Sequence, residues 1–556
     1  MSSSPAGAQT RISQLFLRSA KEHPERLVIR QPSVGDISYG TAASIVADIV
    51  ARWRAAGIMR GDRIVLYADK NHPTIYVQLA CMTSGVAWVS VSPLFSPAFM
   101  QDIFTRIGAS WVYTDEAGSR NLRGTDVKTF GFGSGEPYTL GLPVPGQPGE
   151  GSNIAYGDAI ESLSRENDAI ELGAMSFFVT TSGSTGRPKL LACKEKPFWM
   201  AEQLKEYLLT YGCDQYSFLL ASSTSHGFAL NMTKLALDMS GTLCLPTKVD
   251  VATPLEEVRT LDCNVLTMTP RVLRSLYRQS VETDGAEGGP IFGKGARALL
   301  VAGGKSDVSI LKKVVSQKID PIEHYAASET GVIAVTPPGQ WREGYAGRVI
   351  PNVEIEVAAD GELFIRSPVV EGYFDNPELT REVVTPEGFY RTGDLGEVGA
   401  DGWVRILGRK RDVFGSVEGS AIFPSRIEEL LERLPWVEQA VVVGNGEAYI
   451  SAMIVLRDAK PEETPATEDG FLDPRAFASA YDARRADLAA VNAELERIEW
   501  VVRFNLFAKP FDEAVYTPVG GAKVRRDRAA FGKMFGSRIA ELYQPAPEGD
   551  PTVVAR

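Results

Sequence analysis

The chain has 556 residues, of which 44% are hydrophobic and 23% charged, and its formal net charge is -12. That length exceeds what one hydrophobic core serves, so two or more domains are expected, and the composition is that of an ordinary globular protein. The acidic balance argues against a nucleic-acid-binding protein and against electrostatic attachment to anionic membranes.

The amino terminus, Met1-Ser2-Ser3-Ser4-Pro5-Ala6-Gly7, lacks a basic segment followed by an apolar one, so no secretory signal is expected. Residues 11–130 alternate helical and strand patterns. Within 44–54, Ile45, Val46, Ile49, Val50 and Trp53 recur at helical spacing and share one face, with Asp48, Arg52 and Arg54 outside it, and Gly57 supplies a stop. Strands are predicted over 63–67 and 85–91, with a helix over 75–82 between them. Helices alternating with buried strands predict a layered α/β fold with parallel pairing. Repeated Gly and Pro over 131–153 predict a long surface loop.

The apolar run 175–179 then reads as a short buried strand that delivers Thr180-Thr181-Ser182-Gly183-Ser184-Thr185-Gly186-Arg187-Pro188-Lys189. Its glycines permit backbone angles closed to other residues. Hydroxyls and backbone N–H groups can turn inward around an anion, and Arg187 and Lys189 add positive charge. The loop fits a phosphate cradle. It does not fit the Walker pattern, because no Lys-Ser or Lys-Thr pair follows Gly186. Taken alone, the stretch is equally compatible with a Gly/Ser/Thr-rich surface turn.

Further on, a helix is predicted over 198–209 and strands over 218–221 and 242–246. A second Gly/Pro break, 284–295, precedes a strand over 298–304 that ends in Gly303-Gly304. Ligands of parallel sheets bind at the carboxyl ends of strands, so junctions distant in sequence can meet in one crevice. Beyond 349 the chain is strand-rich, over 353–357, 361–366 and 403–407, up to the charged knot Gly408-Arg409-Lys410-Arg411-Asp412. There its character changes. A helix over 424–434, with Glu428 and Glu429 on its outer face, is followed by a strand over 438–444 and a polar loop over 460–469. Asp473-Pro474 has the cap residue and first-turn proline of a helix start. The domain boundary is therefore set near Arg411, dividing the chain into 1–410 and 411–556. Five cysteines (Cys81, Cys193, Cys213, Cys244, Cys263) lack C-x-x-C pairing, which indicates neither a zinc site nor a disulfide framework and makes reduced thiols of a cytoplasmic protein the expectation. No apolar stretch approaches membrane-spanning length, and no internal repeat is present.

Four further motifs follow the loop: Tyr325-Ala326-Ala327-Ser328-Glu329-Thr330-Gly331, Tyr390-Arg391-Thr392-Gly393-Asp394, the knot at 408–412, and Thr517-Pro518-Val519-Gly520-Gly521-Ala522-Lys523. In order and spacing the set resembles the signature of the superfamily of AMP-forming acyl-CoA synthetases, NRPS adenylation domains and luciferases, over about residues 13–543. The resemblance implies a large N-terminal domain of layered α/β sheets and a small, mobile α+β C-terminal domain. It implies that Thr181, Ser182, Gly183, Ser184, Thr185, Gly186 and Lys189 wrap the β- and γ-phosphates of ATP, with Gly304 and Tyr325 also in the nucleotide site. Ser328 approaches the α-phosphate, and Glu329 holds Mg²⁺, a hard cation suited to carboxylate and phosphate oxygens. Asp394 accepts hydrogen bonds from the ribose hydroxyls with Arg409 nearby. Lys523 is the catalytic cation for charge that develops at the α-phosphate. Singly, Asp394 also reads as a turn residue, Glu329 as a solvated loop charge, and Lys523 with Arg525, Arg526 and Arg528 as a solvated basic face.

By the same resemblance the acyl pocket lies among His226, Gly227, Ala302, Gly303, Ala326 and Ala327. His226 is either a group beside the substrate carboxylate or a structural histidine. Gly227 aligns with the aspartate that amino-acid-activating relatives use for the α-ammonium. Since an uncompensated buried ammonium is costly, an aryl or fatty acid without an α-amino group is expected. Leu190 and Ala326 replace glycines of the pattern, residues 415–419 lack its lysine, and the Gly520-Gly521 pair differs from tighter versions. The implied cycle forms an acyl adenylate and pyrophosphate, after which the small domain pivots about Arg411 and a thiol attacks. The acceptor is read as coenzyme A, with the phosphopantetheine of a carrier protein or an amine as alternatives. An inactive nucleotide-binding protein is the competing class, with a kinase or P-loop NTPase behind it. A monomer or homodimer acting on a small carboxylic acid, with no nucleic-acid partner, completes the expectation.

Overall fold

The computed structural model describes residues 10–554, except 33–34, 69–70, 94, 123–125, 133–139, 143–153, 182–188, 197–201, 225–226, 286–288, 305, 370–371, 416–420, 458, 460–466, 512–515 and 519–523. Two layered sheets dominate the first 350 residues. The seven-stranded sheet runs in the order Leu140–Leu142, Thr129–Phe132, Trp111–Thr114, Arg63–Tyr67, Ala87–Val91, Met175–Thr181 and Lys189–Lys194. All its pairs are parallel except the last. Strands such as Arg63–Tyr67 and Ala87–Val91 are near-continuous apolar runs because helices cover both faces.

The nine-stranded sheet has the order Arg348–Val349, Gly331–Val335, Asp320–Ala327, Ala298–Val301, Val265–Met268, Ser217–Leu220, Thr242–Cys244, Leu27–Gln31 and Gly35–Ser38. Its interior pairs are parallel and its rims antiparallel. One continuous core, with Trp53, Trp88, Phe130 and Phe218 buried in it, spans both sheets. A four-stranded antiparallel sheet, Glu354–Val357, Glu362–Arg366, Tyr390–Val398 and Val404–Arg409, closes this part. After it the chain builds a separate core around Val437–Val443, Ile450–Leu456 and Val501–Phe507, with helices Pro424–Glu432 and Ala478–Asn492. The predicted class, a large α/β unit followed by a small α+β unit, is what forms.

Several local readings differ. The helix expected over 44–54 runs Tyr39–Ala55, capped by Ser38, whose side chain accepts from the Thr41 N–H. The segment predicted as a loop over 131–153 contributes Gly131, Phe132 and the strand Leu140–Leu142 to the edge of the seven-stranded sheet; its remaining residues lie outside those described. Asp473-Pro474 does not start a helix. The Asp473 carbonyl instead takes the N–H groups of Ala476 and Phe477 in a turn, and the helix begins at Ala478. Glu428 is not on an outer face: it is fully buried, accepts from the Val442 N–H at 2.9 Å, and pairs with Arg528 at 2.8 Å.

The two units also meet through ion pairs of the helix Pro270–Asp284, Arg274 with Glu432 at 3.6 Å and Arg278 with Glu438 at 3.3 Å.

A second buried charge lies beneath the loop-bearing strand. Lys234, on the helix Gly227–Asp238, is buried with its ammonium 4.2 Å from the Phe177 ring centroid, and burial pushes its pKa down from 10.5 to about 8. Below pH 8 both folded and unfolded chains carry this proton and the folded state bears the desolvation cost. Between pH 8 and 10.5 only the unfolded chain keeps it, so the cost is relieved as pH rises. Denaturant unfolding of wild type against Lys234→Met is expected to show wild type gaining about 3 kcal/mol on the variant across that window; a pH-independent difference would refute it.

Candidate nucleotide site

The loop between Thr181 and Lys189 begins and ends at one point, because Thr181 and Lys189 are antiparallel partners in register. Ser182, Gly183, Ser184, Thr185, Gly186, Arg187 and Pro188 lie outside the described residues. The strand before the loop is anchored by buried Phe177 and Phe178. At the loop's far end the Lys189 ammonium stands 5.0 Å from the centroid of the Tyr373 ring, a cation–π distance.

A second wall comes from the nine-stranded sheet. Tyr325, Ala326 and Ala327 close the strand Asp320–Ala327, and Ser328, Glu329 and Thr330 turn it into Gly331–Val335. Gly331 makes that turn possible with φ +71°. The Ser328 side is exposed and Glu329 is half-buried. Helix Gly227–Asp238 starts against both walls: a Cβ built on Gly227 would lie 3.7 Å from Val179 Cγ1 and 3.9 Å from Ser328 Oγ. Its neighbour His226 lies outside the described residues. Ala302, Gly303 and Gly304 follow the strand Ala298–Val301 at its carboxyl end; Ala302 is buried and Gly303 takes φ +91°.

The third wall is the four-stranded sheet. Asp394 and Arg409 face each other in register, and Asp394 Oδ1 pairs with Arg409 Nε at 2.9 Å. Across the crevice Tyr325 Oη donates to Asp394 Oδ2 at 2.6 Å. The Asp394 side chain is only 8% exposed, so both oxygens are held by these partners while each keeps acceptor capacity for a hydroxyl. Burial first, and then the Asp394 charge, push the Tyr325 phenol well above its ordinary range, so it remains a donor. Next to Arg409, Lys410 turns back to Glu362 at 2.8 Å and to Asp360 at 2.5 Å, while Arg411 and Asp412 complete a short 3-10 turn that leaves the sheet.

Sequence reasoning did not single out Tyr373. Its phenol donates to Glu329 Oε1 at 2.8 Å and lies 3.4 Å from Tyr390 Oη. The one local signal was the Gly372-Tyr373 pair after a strand. Lys523 lies outside the described residues, between the paired strands Tyr516–Pro518 and Val524–Arg526. Arg528, grouped with it as a solvated basic face, is instead bound to Glu428 and the Val442 carbonyl.

The crevice thus brings Lys189, Tyr325, Ser328, Glu329, Asp394 and Arg409 onto walls that meet at Gly227 and Tyr373. A single carboxylate, Glu329, fits a cation that arrives already carried by phosphates. Among the described residues no cluster of three or more His, Cys, Asp or Glu side chains forms a cage of its own.

Among curated proteins the chain is similar to the long-chain-fatty-acid–CoA ligase FadD15 of Mycobacterium bovis, 23% identical with 97% of this chain and 98% of that protein covered. Among solved structures it resembles the O-succinylbenzoate coenzyme A synthetase MenE of Bacillus subtilis in complex with ATP and magnesium ion, with TM-score 0.68, 18% identity, and 94% of this chain and 99% of that one covered. It also resembles the amide bond synthetase McbA of Marinactinospora thermotolerans, with TM-score 0.69, 19% identity, and 94% and 99% covered. No helix among the described residues is long and apolar enough to cross a membrane. A model of the AMP-binding enzymes matches residues 16–374 and one of the AMP-binding enzyme C-terminal domain matches 411–546, so the chain belongs to the AMP-binding enzyme family.

Proposed function

We propose that this enzyme activates a carboxylic acid with Mg-ATP as an acyl adenylate and then passes the acyl group to the thiol of coenzyme A. The observation that carries the reading is the clasp of Asp394 between Tyr325 and Arg409. A nearly buried carboxylate with a fixed partner on each oxygen is suited to accept two vicinal hydroxyls, as a ribose presents them. Lys189, in register with Thr181 at the two ends of the loop, is assigned to the triphosphate extending from that ribose, and Glu329 to its cation.

In the first step a carboxylate oxygen attacks the α-phosphorus, the bond to the β-phosphate oxygen breaks, and pyrophosphate leaves. Positioning and charge neutralisation supply most of the rate. Ser328 is assigned to the α-phosphate and Lys523 to the charge developing there. In the second step a thiolate attacks the acyl carbon and AMP departs. Lys410, tied to Glu362, ends the fixed part of the large unit, and this supports Arg411 as the pivot and a division at 1–410 and 411–556. Hinges are a few element-terminal residues of this kind.

Gly227 bears on the acid. At the mouth of the helix it brings no carboxylate of its own, and a Cβ there would meet Val179 Cγ1 and Ser328 Oγ; this supports an aryl or fatty acid without an α-amino group, held among Gly227, Ala302, Gly303, Ala326 and Ala327, with His226 assigned to the carboxylate. Coenzyme A as acceptor is supported by the name of FadD15; a carrier-protein phosphopantetheine is the alternative thiol.

Pyrophosphate exchange into ATP with a panel of aryl and fatty acids tests the reading. Exchange is expected with at least one acid and is expected to fall about 10²- to 10³-fold in Lys523→Ala; absence of exchange with every acid favours a nucleotide-binding protein without activity. Asp394→Ala is expected to weaken AMP binding about ten- to a hundredfold, the scale of hydrogen bonds to a charged group, with calorimetry as the measurement and wild-type affinity as the refuting result.

A further inference from the structure

We propose that Tyr373 is the positioning residue that sets the Glu329 carboxylate and the Lys189 ammonium relative to one another around the bound triphosphate. The proposal rests on the adenylation reading above and assigns a role to a residue outside its motifs.

The chain around Tyr373 is built to hold one side chain still. Gly372 adopts φ +84°, and a Cβ there would come within 2.4 Å of Thr380 Cγ2, so no other residue fits. The Tyr373 N–H donates to Thr380 Oγ1 at 2.9 Å. On the other side Tyr373 bridges Leu191, and the Phe374 N–H donates to the Leu190 carbonyl at 2.7 Å. The Phe374 ring meets Phe178 edge-on at 5.0 Å. Residues 372–374 therefore grip both strands that carry the phosphate loop, and Tyr373 is 7% exposed.

From that fixed backbone the tyrosine acts in two directions. Its hydroxyl donates to Glu329 Oε1 at 2.8 Å, and the Tyr390 hydroxyl lies 3.4 Å from the Tyr373 oxygen. Fixing one oxygen of a carboxylate fixes the rotation of the other, which is how outer partners orient a metal ligand. Meanwhile the ring face carries the Lys189 ammonium at 5.0 Å. Movement of the loop lysine and rotation of the glutamate are thus coupled through one rigid side chain.

The test measures ATP binding by calorimetry as MgCl₂ is titrated, with AMP binding in EDTA as the metal-free reference and thermal unfolding as the check on folding. Tyr373→Phe keeps the ring and loses the hydroxyl. The Mg²⁺ concentration for half-maximal ATP binding is expected to rise about tenfold, the scale at which outer partners act on metal sites, with AMP affinity and unfolding temperature as in wild type. Tyr373→Leu also removes the ring and is expected to lose a further roughly threefold in ATP affinity measured in EDTA, which Tyr373→Phe retains. A wild-type Mg²⁺ midpoint in Tyr373→Phe, with a raised midpoint in Glu329→Gln, overturns the role of Tyr373 alone. A wild-type midpoint in Glu329→Gln overturns the assignment of Glu329 and this proposal together.

Discussion

The Asp394 carboxylate is the constraint on which the site depends. It is nearly buried, and a carboxylate in that position must be paired or it becomes a large penalty. Its two partners come from different sheets, Arg409 from the neighbouring strand and Tyr325 from the far side of the crevice. The four-stranded sheet can therefore close on the nine-stranded sheet in few ways that leave this charge satisfied. Lys410, the next residue after Arg409, bonds back to Glu362, so the chain leaves for the small unit from a point already fixed by the site. The residues proposed for a ribose and those proposed for a hinge share one strand end.

Tyrosines do much of the polar work. Tyr325, Tyr373 and Tyr390 are each raised well above the ordinary phenol range, with burial the first cause and a neighbouring carboxylate the next. They stay protonated, and Tyr325 and Tyr373 donate to the two carboxylates Asp394 and Glu329.

Contact between the two units has a different quality. Inside the small unit the Arg528–Glu428 pair is buried and hydrogen-bonded into strand Val437–Val443. Between the units, the pairs of Arg274 and Arg278 are partly exposed, and such pairs contribute about 1 kcal/mol or less each. Partly exposed pairs between the units suit the pivot proposed for the catalytic cycle.

The sequence by itself determined the class of fold, the strand that delivers the loop and the order of the nucleotide motifs, because these are written in local periodicity, in turn chemistry and in short ordered patterns. It also carried Tyr325, Asp394 and Arg409 as separate candidates, though nothing local said that they touch. Other features were decided only by tertiary structure. Glu428 reads as a surface residue of an amphipathic helix until a strand N–H 14 residues away and an arginine 100 residues away converge on it. Asp473 has the chemistry of a helix cap, but Leu472 is already bonded to the Leu506 carbonyl, and the helix starts only after the chain has turned away from that strand. Leu140–Leu142 reads as loop because three residues in a Gly/Pro-rich stretch have no strand signal of their own; their partner, Thr129–Phe132, supplies it. Tyr373 carries no signature except the glycine before it. Periodicity reports which way a side chain faces relative to its neighbours, whereas the partner that makes a buried charge or phenol tolerable comes from a distant part of the chain, and only folding brings it there.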